Sequence, residues 1–116
     1  MDTQPTDDEL AEHIAGHLCE EQPATLAGLS DAEIGRRVRL GLARARSQGF
    51  AEAEPATAFV ALMFLVSPCF DRQPAIAAAL GGGSGTPAER LRTLFSRTSE
   101  QDWEAAAGAG SWEDLA

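Results

Sequence analysis

"AFVALMFLVSPCF", residues Ala58 to Phe70, decides the fold. Nine apolar residues run unbroken from Ala58 to Val66, and Ser67-Pro68 closes the run. Upstream, Pro55 is tolerated in a first helical turn, where its missing N–H would have no helical partner. From Ala56 to Val66 only Thr57 is polar. A helix that is apolar on nearly every side lies in a membrane or is surrounded by other helices. A spanning helix needs about twenty such residues. This stretch offers eleven, bracketed by Glu54 and Asp71. It therefore predicts the central helix of a small bundle, and no membrane partner.

The segments around it supply the siblings. "TDDELAEHIAGHLCEE" reads as a helix capped by Thr6, with Glu9 in a capping-box position and acids at the positive helix start. Leu10, Ala11, Ile14 and Leu18 form its apolar stripe, and Pro23 ends it. "LSDAEIGRRVRLGLARARSQGF" has Ser30 and Glu33 as S-x-x-E at its start and Gly49 as a left-handed stop. Ile34, Val38, Leu42 and Ala45 fall on one face. Pro74 starts a short alanine-rich helix, with Asp71 as its candidate cap. Thr86, Pro87 and Glu89 open another, whose expected buried stripe is Ala88, Leu91, Leu94 and Phe95. "SEQDWEAAA" gives a last short helix, capped by Ser99 with Trp103 inward.

No segment alternates as a strand would. The fold expected is all-α: a compact single-domain bundle of five or six helices around a central apolar helix. Residues 1–107 form the helical domain, and 108–116 read as a flexible acidic C-terminal tail.

The chain has 116 residues, a size for one domain with a core of its own. Its net charge of −9 argues against nucleic acid, whose phosphates are bound by Lys and Arg, and favours a basic partner. The charge is uneven. Met1 to Gly35 holds nine acids and no Lys or Arg; then Arg36, Arg37, Arg39, Arg44 and Arg46 follow within eleven residues. Cys19 and Cys69 are too far apart and too few for a secreted disulfide framework, so both read as buried thiols in a reduced compartment. The polar "MDTQPTDDEL" start resembles no leader peptide, and the expected location is cytoplasmic.

Candidate chemistry is sparse. Glu9, His13, His17 and Glu20 share one face of the first helix, and two histidines four residues apart can hold one metal ion. The catalytic glutamate of H-E-x-x-H is absent from its place, so His13, His17 and Glu9 are a candidate metal set and not a protease motif, and His17 at the border of the apolar stripe reads also as a packed histidine. "GGGSG", Gly81 to Gly85, lacks the strand and the lysine of a phosphate-binding loop and reads as a surface connection. Cys69 has no histidine near it in sequence and reads as inert. Arg36, Arg39, Arg46 and Trp112 are the candidate partner contacts: arginines for an acidic surface, tryptophan as an anchor or as a ring folded back on the domain. The central helix lacks titratable groups, which disfavours an internal active site, and no cofactor is implied.

Three pieces, "LSDAEIGRRVRLGLARARSQGF", "FVALMFLVSPCFDRQPAI" and "ERLRTLF", resemble a group of small helical accessory proteins associated with bacterial type VI-like secretion loci. In that group a helix carrying ARxxG leads to an apolar LMF helix closed by an FD..P turn. The matching residues here are Ala43 to Arg46 with Gly49, Leu62-Met63-Phe64, and Phe70-Asp71 with Pro74, within residues 29–97. The resemblance implies an accessory or cargo-handling role and carries over no catalytic residue. The expectation is a non-catalytic protein-binding adaptor. The alternatives are a metal-binding protein or enzyme using His13 and His17, and a self-associating structural protein.

Overall fold

Helix starts are set by side chains that accept the unpaired N–H groups of a first turn. In the computed structural model, which describes residues 6–50, 52–81, 85–108 and 110–115, Thr6 Oγ1 accepts from Glu9 N at 3.2 Å and Ser30 Oγ from Glu33 N at 3.1 Å. Thr86 Oγ1 does the same for Glu89 N at 3.2 Å, and Ser99 Oγ for Asp102 N at 3.3 Å. These caps open α1 (Asp7–Glu21), α2 (Asp31–Ser47), α5 (Pro87–Arg97) and α6 (Glu100–Ala107). Between them lie α3 (Ala53–Leu65) and α4 (Pro74–Gly81). Short 3-10 turns cover Pro23–Leu26, Phe70–Arg72 and Trp112–Asp114. No strand occurs among the described residues, and none of their helices is long and apolar enough to cross a membrane. Gly82, Gly83 and Ser84 of the glycine loop lie outside the described residues.

Two local expectations change. Asp71 does not cap α4; Gln73 does, with its Oε1 accepting from Ile76 N at 2.9 Å. Glu33 does not close a capping box either, because its carboxylate turns to Arg36 and Arg37. The end of α2 is as expected. Gly49, at φ +92°, donates to Arg46 O, and Phe50 N reaches back to Ala45 O, the paired bonds of a glycine C-cap. That turn aims Phe50 into the core, where it is fully buried.

α1 packs on α2 and α3, α2 packs on α3, and α3 also touches α5. α4 lies on α5 and on the 70–72 turn, and α6 lies on the same turn. The six helices form one all-α domain with a radius of gyration of 13.8 Å, close to the ~13 Å of a globule this long. Phe59, Val60 and Met63 of α3 are at its centre, with the Phe50 and Phe70 rings tilted against Phe59 at 5.2 and 5.0 Å. Thr57, the polar exception, donates to Ala53 O at 2.6 Å.

The central helix is nonetheless not encased all round. Ala58 is exposed, Leu62 and Phe64 are half-buried, and Leu65 is 48% exposed, because α1, α2 and α5 cover only part of its circumference. On α5, Leu91 and Leu94 are buried but Ala88 is exposed and Phe95 is 56% exposed. Phe95 lies flat against Trp103 of α6, at 5.7 Å, at the edge of the core.

Candidate functional site

α1 and α2 form an antiparallel pair. Arg39, midway along α2, donates to Asp8 at the start of α1 at 3.2 Å. Their inner stripes meet: Leu10, Ala11, Ile14 and Leu18 face Ile34, Val38 and Leu42, all buried. Above this seam the small residues Ala15 and Gly16 of α1 and Gly35 of α2 leave the surface between the two helices without large side chains. The result is an open cleft of about 350 Å³, within the ~300–1,000 Å³ range of ligand pockets. Its lining includes the buried Ile34 and the exposed Cys19.

The charged residues lining it are Glu12 of α1 and Asp31 and Arg39 of α2. Arg39 is already engaged by Asp8, whereas Glu12 and Asp31 have no ion-pair partner among the described residues. The cleft is therefore an apolar trough under a net negative rim.

Gly16 and Gly35 are unlike the other helical glycine of α2. Gly41 is buried where α2 crosses α3, and a Cβ there would meet Val60 Cγ1 at 3.1 Å and Met63 Sδ at 3.3 Å. A Cβ on Gly16 would meet nothing within 4 Å, and one on Gly35 only the Arg39 guanidinium at 3.6 Å. Neither has a positive φ. Close packing explains Gly41; nothing in the fold requires glycine at 16 or 35. In a helix interior each destabilises by about 1 kcal/mol relative to alanine.

The sequence-derived candidates fall elsewhere. His13 and His17 are exposed on α1 and line an open recess of about 390 Å³ with Glu54, Thr57 and Ala58 of α3. Glu9 sits one turn earlier, within reach of the Thr6 hydroxyl at 3.3 Å. No three His, Cys, Asp or Glu side chains among the described residues converge to hold a metal ion.

Arg36 binds Glu33 through Nε at 3.0 Å and Nη2 at 2.8 Å, and reaches Glu113 at 3.4 Å. Arg37 Nε is 2.6 Å from the same Glu33 carboxylate. These two guanidiniums hold Glu33 down at about 2, Arg36 acting more strongly than Arg37. Arg46 is exposed in the last turn of α2.

Trp112 is buried. Its ring lies 4.8 Å from that of Phe64 and under the Arg37 guanidinium at 5.7 Å. The described part of the expected tail, 110–115, folds back on the domain, with Trp112 packed against Phe64 and Arg37. Cys19 is exposed where burial was expected, Cys69 is buried, and both are free thiols.

Sequence reasoning missed the cleft. Its one readable signal was a pair of mid-helix glycines where alanine would serve the helix better. Set against known proteins, the chain matches no family model, no curated protein and no solved structure.

Proposed function

We propose that the protein is a non-catalytic protein-binding accessory module whose contact surface is the α1–α2 cleft. The observation that carries this reading is the pair Gly16 and Gly35, which weaken their helices, serve no packing need and open onto one apolar trough. Each gives up helix stability with no contact that requires it, and both line the same trough. The sequence resemblance to accessory proteins of bacterial secretion loci points the same way. In this reading the protein works in a reducing cytoplasm with both thiols free.

The test is affinity capture from cells of the source organism, with wild type and Gly16→Leu side by side. The leucine projects into the trough and has open space to do so. A stoichiometric partner present with wild type and absent with Gly16→Leu is the expected result. The same partners with both proteins, or none with either, would remove the cleft from the reading.

A further inference from the structure

We infer that the occupant of the α1–α2 cleft is a basic amphipathic helix of a partner protein. This deepens the protein-binding reading and rests on it.

Shape comes first. The trough is lined by both helices of an antiparallel pair, with Ile34 and the small residues Ala15, Gly16 and Gly35 among its lining. Such a groove accepts one face of a third helix, whose apolar side chains enter at i, i+3 and i+4. Small wall residues let the incoming backbone come close.

Charge then selects the class. Glu12 and Asp31 have no ion-pair partner among the described residues, and the region up to Gly35 has nine acids and no Lys or Arg. The nearest arginines are already engaged: Arg36 and Arg37 by Glu33, Arg39 by Asp8. An acidic helix would meet like charge. A second copy docked about a two-fold axis would set the same net negative rim against itself. A helix with lysine or arginine flanking its apolar stripe meets neither obstacle, and the net charge of −9 steers it inward.

The test uses ¹⁵N-labelled full-length protein and three defined probes: a helical leucine–lysine peptide with its leucines on one face, its leucine–glutamate counterpart, and a leucine–lysine peptide of scrambled order. The amphipathic basic peptide is expected to shift the amide signals of Ala15, Gly16, Cys19, Ile34 and Gly35. Gly16→Leu should weaken it about tenfold or more. Glu12→Gln with Asp31→Asn should weaken it about fivefold, whereas Glu100→Gln with Glu104→Gln, an equal charge change on α6, should not. Capping the exposed Cys19 with a bulky maleimide blocks the trough without mutation, since Cys69 is buried.

Several results would overturn the inference. They are equal binding of the acidic peptide, equal binding of the scrambled peptide, shifts indifferent to Gly16→Leu and to Cys19 capping, or cleft shifts that grow with protein concentration alone. If the peptide fails while cellular capture stays sensitive to Gly16→Leu, the basic-helix assignment falls and the protein-binding reading stands; if both fail, both fall.

Discussion

Asp71 carries a carboxylate into the interior. Its side chain is fully buried, Oδ2 accepts from Arg44 Nε at 2.7 Å and from Gln48 Nε2 at 2.8 Å, and Oδ1 has no partner among the described residues. The pair ties the 70–72 turn to the end of α2. Removing one side of such a pair leaves an uncompensated buried charge. Arg44→Met should therefore destabilise by about 3 kcal/mol in urea titration, and Asp71→Leu added to it should restore part of that loss. An Arg44→Met protein as stable as wild type would show the pair to be idle. Glu33 makes the complementary case at the surface. Its folded value of about 2 lies below the ordinary 4.5. A depressed carboxyl contributes stability that is full above the unfolded value and is lost as pH falls through the folded one. The stability difference between wild type and Glu33→Gln should thus be largest near neutrality and shrink between about pH 4.5 and 2, measured by melts across that range. A difference that stays constant with pH contradicts the role given to Arg36 and Arg37.

At the scale of the helix, glycine separates fold from function. Gly16→Ala gains helix propensity, about 1 kcal/mol, with open space for the methyl group. Gly41→Ala gains the same propensity but drives a methyl into Val60 and Met63, and overpacking of this kind costs about 1–3 kcal/mol. The first substitution should raise the urea midpoint, and the second should leave it unchanged or lower it; the reverse order would mean the α2–α3 crossing is looser than it looks. The same contrast explains what was legible in the chain. Helix starts were, because Thr6, Ser30, Thr86 and Ser99 act within three residues of themselves. The central position of α3 was, because no other segment is apolar on so many sides. The exposure of Phe95 was not: its stripe has the right spacing, but α4 and α3 cover the helix only as far as Leu94. Nor was the role of Asp71, whose partners lie 27 and 23 residues back. The cleft needed the angle between α1 and α2, which no local rule supplies.

The whole molecule is closed by its C-terminal segment. Five rings in contact run from Phe50 through Phe59, Phe70 and Trp103 to Phe95, linking α2's end to α5 and α6. A separate contact, Phe64 with Trp112, holds the 110–115 segment over the exposed side of α3. The Ser67 hydroxyl and the Cys69 thiol meet the carbonyls of Gly110 and Ser111 nearby, at 3.4 and 4.0 Å. Arg36 and Arg37, seated on Glu33, fix the outer edge of this segment through Glu113 and the Trp112 ring. A tail that merely trailed would add nothing to stability. A lid over Phe64 adds the burial of an indole and of the ring beneath it. Trp112→Ala should then destabilise by about 3 kcal/mol, lowering the melting temperature by about 10 °C. Truncation after Gly108 should lose at least as much, because it removes Trp112 together with Glu113, Leu115 and the Gly110 and Ser111 carbonyls. Arg36→Ala, which breaks only the exposed ion pairs to Glu33 and Glu113, should lose far less, since such pairs contribute about 1 kcal/mol at most. If truncation leaves the melt unchanged, the segment does not lie where Trp112 places it, and the side of α3 carrying Phe64 is open to a partner after all.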